Sequence, residues 1–223
     1  MRSLDADDHK RVSSAIAAAE AASDGEIVAI SSDQSDAYHD VGLHYAVLAA
    51  FALLALFAAA PQLLTGLRDI FVGWGTEPSL REVLTMALML TLATFLIALF
   101  AMKWQPLRMA LTPGATKTRR VRRRAIMLFR TGAERRTVGR TGILIYLSLA
   151  EHRAEIVADE AITSVTTPET WGEAMAALLT EVKAGRPSEG IAAAVGLIGE
   201  VLATHFPKSS SDTNEIPDKL IEL

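Results

Sequence analysis

Asp159 and Glu160 stand directly after a short apolar run, Glu155 to Ala158, and the end of a strand is where α/β sheets usually carry function. A carboxylate cluster there would form a ligand site, so these two are the first candidates for binding; the plainer reading is a solvated turn. A phosphate-transferring centre needs a nucleophile or several convergent metal ligands. The sequence contains no HExxH, no calcium loop of EF-hand spacing and no Gly-x-Ser-x-Gly. It contains no cysteine, which excludes thiol nucleophiles, zinc thiolate sites and disulfides. The five histidines, His9, His39, His44, His152 and His205, have no spacing that makes a metal site and read as structural or surface residues.

A second group is basic. The net charge of −4 conceals an asymmetry: twelve of the twenty-two Lys and Arg residues lie between Lys103 and Arg140, against one acid, Glu134. On a helix, Arg119, Arg122 and Arg123 fall on one side at spacings of three and four, with Arg120 and Arg124 beside them. No aromatic interleaving or nucleic-acid motif accompanies these arginines, so nucleic acid is not an expected partner. Anionic lipid is the simpler one, each basic residue near such a surface contributing about 1 kcal/mol. The rival role is topological only, holding this loop in the cytoplasm.

The elements that would position these groups begin with two apolar segments. Val83 to Met102 is an uncharged run of twenty residues without proline or glycine. At 1.5 Å per residue it is about 30 Å long, the thickness of a bilayer's hydrocarbon core. Tyr45 to Ala60 is a second apolar run, brought to spanning length by Val41 to His44 before it and Gln62 to Leu64 after it. Tyr45, Trp74 and Trp104 fall near the expected interfaces. Neither span carries a charge, so the hairpin reads as an anchor and not as an ion pathway. The positive excess after the second span places that side, and hence both termini, in the cytoplasm. The N-terminus has no apolar core of signal-peptide type.

The remaining segments read as a mixed domain. Asp5 to Ala22 is a predicted amphipathic helix with Val12, Ile16 and Ala19 inward, capped by its acidic first residues. Glu26 to Ile30 is a strand, and Ser31 to Asp40 a polar linker. Thr118 to Val138 is a helix with Ile126, Leu128, Phe129 and Ala133 inward. Ile143 to Leu149 and Glu155 to Ala158 form a hairpin through Glu151-His152-Arg153. A helix begins at Thr167-Pro168 and runs to Ala184, and another spans Ser188 to His205. Glu26–Ile30 is expected in the same sheet as Ile143–Leu149, because the N-terminal helix and strand are too short to be stable by themselves.

The stretch TGILIYLSLAEHRAEIVADEAI, a tryptophan-bearing helix, KAGRPSEGIAAAVGLIGEVLATHFP and NEIPDKL together resemble the TPM-domain family, as does the N-terminal DGEIVAI. That family comprises thylakoid-lumen photosystem-repair proteins and bacterial relatives, among them a membrane subfamily whose spans interrupt the domain. The resemblance implies an α/β/α sandwich, a small sheet covered by helices on both faces. It also implies that Asn214-Glu215-Ile216-Pro217-Asp218 docks back onto the domain. Asn214 and Asp218 are candidate ligand contacts there, with a turn that fixes the last strand or tail as the plainer role. Acid phosphatase activity and calcium binding in some relatives make calcium or another divalent ion the cofactor the resemblance would suggest; the residues themselves call for none. Where many members have a glycine-rich turn, this chain has Ala158-Asp159-Glu160-Ala161.

The expectation is therefore a TPM-like domain built from residues 1–36 and 117–223, interrupted by a transmembrane hairpin at 41–104 in a bacterial inner membrane. The absence of a catalytic constellation favours a membrane-anchored binding or assembly module with a protein partner at the cytoplasmic face. The alternative is a divalent-ion-dependent hydrolase of phosphate esters, which the resemblance alone suggests.

Overall fold

The computed structural model describes residues 4–72, 79–132, 141–209 and 217–223. Trp74, Asn214 and the expected helix end from Ala133 to Val138 lie outside the described residues. The chain divides into two compact units, Met1–Asp36 with Gly114–Leu223, and Ala37–Pro113.

The first unit is a mixed α/β fold. Helix α1 (Ala6–Glu20) starts at a capping box in which Asp5 accepts from the Asp8 N–H and Asp8 accepts from the Asp5 N–H, each at 3.0 Å. It leads into strand β1 (Glu26–Ser32), which lies parallel to β2 (Gly142–Ser148) from Glu26↔Gly142 to Ser32↔Ser148. The expected pairing of the N-terminal strand with the long apolar one is thus observed. Strand β3 (Arg153–Ala158) returns antiparallel to β2 through a turn in which His152 has φ +49°. A short β4 (Leu220–Glu222) runs parallel to β1 on its other side, giving the order β3-β2-β1-β4.

All residues of β1 and β2 are buried, as expected of inner strands covered on both faces. Alternate side chains feed two apolar clusters. Ile27, Ala29, Ile143, Ile145 and Leu147 pack with α1, α8 (Gly172–Lys183) and α9 (Pro187–His205). Val28, Ile30, Leu144 and Tyr146 pack with α6 (Gly114–Gly132). The buried seam of α6 is Val121, Ala125 and Phe129, spaced by four. Of the described residues in the expected inward set, Phe129 is buried, and Ile126 and Leu128 flank the seam half-buried. Gly199 sets the contact of α9 with α1, since a Cβ there would lie 2.6 Å from the Ala19 Cβ. The helix expected from Thr167 begins instead as a 3-10 turn, Pro168–Trp171, before α8. After β3, the six-residue α7 (Glu160–Val165) was not foreseen.

The second unit contains α2 (His39–Ala59), α3 (Pro61–Val72), α4 (Leu80–Ala101) and α5 (Gln105–Leu111). Two of these, α2 and α4, are long and apolar enough to cross a membrane. The first apolar helix gains its length differently from expectation. It starts at His39 and stops at Ala59, so Gln62 to Leu64 belong to the next helix. Pro61 is the cause: it has no N–H to continue the ladder, and it drives Ala60 to φ −138°, ψ 72°. Helix α4 opens on a capping box between Ser79 and Glu82 and buries none of its residues.

Candidate functional site

Asp159 is 5% exposed. Its carboxylate accepts the Glu160 N–H at 3.0 Å, its N–H donates to the Gly142 carbonyl at 2.9 Å, and its carbonyl accepts the Thr163 N–H at 3.0 Å. It is the N-cap of α7, and Glu160 beside it is exposed. Because β3 runs antiparallel, Asp159 follows β3 at the end where β1 and β2 begin. The end usual for ligands in α/β sheets is the opposite one.

Asp218 precedes β4 at that same starting end but at the other edge of the sheet. Three strand spacings of ~4.8 Å separate the two edges, about 14 Å in all. The sequence candidates Asp159 and Asp218 are therefore not brought together, and Asn214 is outside the described residues. Asp218 instead acts through its charge on Glu20, a residue that sequence reasoning passed over. Glu20 is 7% exposed and is pushed up to about 8, by burial first, then by the charges of Glu26 and Asp218 against the pull of the Ile27 N–H. The signal was available: Glu20 continues the i, i+4 stripe of Val12 and Ile16.

At the far ends of β1 and β2 lies a buried polar chain that the sequence did not reveal. The Ser35 hydroxyl meets the Tyr146 hydroxyl at 3.0 Å and donates to Ser148 Oγ at 2.8 Å. Ser148 donates to Glu151 Oε2, while Glu151 Oε1 accepts the Ser35 N–H at 3.0 Å. The network ties the segment after β1 to the β2–β3 turn, and each member satisfies another. Only the parallel pairing of β1 and β2 brings these residues together.

The arginines divide. Arg119, Arg122 and Arg123 are exposed, whereas Arg120 pairs with Asp36 at 2.9 Å and Arg124 is half-buried. Arg122 and Arg153 act on Glu155, whose carboxyl is nonetheless held above its ordinary value by burial. Arg123, Ile126, Met127, Arg130 and Thr131 line a shallow groove of about 450 Å³, with Met127 47% exposed between the two arginines. The outer face of α6 is thus cationic with an apolar strip.

A cleft of about 510 Å³ opens between the starts of α1 and α9. Both its arginines are paired, Arg11 with Asp8 and Arg186 with Glu189 of the lining and with Glu181 beside it. Among the described residues, no three His, Asp or Glu side chains are grouped to hold a metal ion.

No protein-family model matches the sequence, and no curated protein matches it. Among solved structures, the fold is similar to the NMR structure of the BA42 protein from the psychrophilic bacterium Bizionia argentinensis. That likeness has a TM-score of 0.57 at 17% sequence identity, covering 100% of this chain and 97% of the other, and it concerns the fold alone.

Proposed function

We propose that the chain is a membrane-anchored binding or assembly module of the TPM-domain type, an α/β/α sandwich at the cytoplasmic face of a bacterial inner membrane. In this reading α2 and α4 form the transmembrane hairpin and both termini are cytoplasmic. The observation that carries it is the outer face of α6. Arg119, Arg122, Arg123 and Arg130 are exposed around Met127 on the helix that directly follows the apolar unit in sequence. Cations around an apolar strip suit the headgroup layer of an anionic leaflet. Apolar clusters on both faces of the sheet support the sandwich, and the uncharged α2 and α4 support an anchor. A protein partner bound by the anchored domain completes the reading.

The test is hydrogen exchange of the full chain in lipid nanodiscs. The α6 amides are expected to exchange more slowly in anionic discs than in neutral ones. The difference should shrink as salt shortens the screening length. It should vanish when Arg119, Arg122, Arg123 and Arg130 become glutamine, Arg120 being kept for Asp36. Equal exchange in both lipids would remove the surface role. A generic phosphate ester should not be hydrolysed; hydrolysis lost in a folded Asp159→Ala protein would replace this reading with the divalent-ion-dependent hydrolase.

A further inference from the structure

A buried arginine marks one side of α3. Arg68 is 8% exposed, a rare state for a guanidinium, and it reaches Asp69 beside it at 3.2 Å and Glu82 in the first turn of α4 at 3.8 Å. Leu64, one turn earlier on the same side, is buried too. The seam of α3 through Leu64 and Arg68 therefore faces the pair of apolar helices.

The course of that pair is fixed at its other end. A Cβ on Gly42, in the first turn of α2, would lie 3.2 Å from the Cβ of Met102, directly after α4. The two helices thus run antiparallel, and α2 stops beside the start of α4. From Pro61 to Arg68 the rise is about 10 Å, close to the roughly 8–10 Å between packed helix axes. Helix α3 crosses from the end of one apolar helix to the start of the other, the non-helical Ala60 having broken the line of α2.

On either side of its seam α3 carries unlike flanks. Leu63, Leu67 and Ile70 follow one another at spacings of four and three on one flank, with Leu63 49% and Ile70 76% exposed. Gln62, Thr65 and Asp69 lie on the other flank at spacings of three and four, with Gly66 beside them and open space at its Cβ position. At this same end of the unit Leu56 of α2 and Leu80 and Leu84 of α4 are exposed as well, so the apolar flank continues a wider apolar surface. A helix with one apolar flank, one polar flank and its cation turned inward and paired has the form of an element seated at a membrane surface.

We propose that α3 is an interfacial helix, lying in the headgroup–acyl boundary of the phospholipid leaflet where α2 stops and α4 starts. Leu63, Leu67 and Ile70 face the acyl chains, Gln62, Thr65 and Asp69 face water, and Arg68 stays against α4. The inference rests on the reading of α2 and α4 as an anchor and adds a further lipid contact to it. Because only Ala60 separates α3 from α2, a helix held in the surface also limits how deep α2 can sink.

The chain has no cysteine, so single nitroxide labels can be placed without background. The full chain in lipid nanodiscs would carry them at Leu63→Cys or Ile70→Cys on the apolar flank, at Gln62→Cys or Gly66→Cys on the polar flank, and at Leu92→Cys within α4. Collision with oxygen, which partitions into lipid, is compared with collision with a water-soluble nickel chelate. Leu63 and Ile70 should favour oxygen several-fold more than Gln62 and Gly66 do, and Leu92 should favour it most. Either position of a flank serves should the other variant not fold. Equal access of nickel to both flanks, with Leu92 still in lipid, would overturn the proposal while leaving the anchor in place. Shielding of Leu63 and Ile70 from both reagents would overturn it in favour of a protein surface there, a second copy included. Nickel reaching Leu92 as readily as Gln62 would overturn the anchor and this inference together.

Discussion

The carboxyl group of Asp159 shows how an acid chosen for chemistry can be occupied in starting a helix. Replacing it with alanine should cost about 1 kcal/mol, seen as a fall of a few degrees in thermal unfolding, while asparagine should retain most of the stability. Its place after an apolar run was legible in the sequence; the direction of that run was not. An antiparallel β3 carries it to the end of the sheet opposite the one where ligands usually sit. Glu20 shows the converse, because its burial could be read from helical spacing but its residue type disguised it. The folded state holds the Glu20 proton up to about 8, against 4.5 for the free side chain, so between those values it binds more protons than the unfolded chain. Stability from this group is therefore complete below about 4.5 and is lost as pH rises towards about 8. Denaturant midpoints at pH 5, 7 and 9 should fall steadily for the wild type and less steeply for Glu20→Gln. Equal slopes would assign the loss to other groups.

At the scale of elements, the long periodic segments were readable and the short ones were not. Helices α1 and α9 and strands β1 and β2 announce themselves through spacing, capping and apolar runs. The three residues of β4 carry no period, and their place depends on a partner strand nearly two hundred residues earlier. Pro61 was visible, yet its effect was underestimated: it ends one apolar helix and starts another. Gly199 likewise gives no local signal, since its value lies in the approach of Ala19. Gly199→Val should separate α1 from α9 and destabilise the fold by roughly 1–3 kcal/mol or more, measurable by chemical denaturation. Gly196, which has open space at the Cβ position, should accept alanine with no loss.

For the whole molecule, charge placement and hydropathy reached further than motif reading. They marked off an apolar segment close to the Ala37–Pro113 unit and drew attention to the basic helix that follows it. If both termini are cytoplasmic, a cysteine at Ser79 in intact cells should react with an impermeant reagent and one at Ser210 should not. Reaction at Ser210 alone would invert the orientation. The order of the chain also has a consequence in time. Strand β1 is complete at Ser32, but its partner β2 begins only at Gly142, after the whole apolar unit. At 5–20 residues per second during synthesis, β1 waits roughly 5–20 s without its neighbour. During that interval a strand destined to be buried along its entire length is exposed to whatever else is nearby. Shortening the delay by deleting α3 should raise the yield of folded protein, whereas a pause introduced between residues 113 and 141 should increase aggregation.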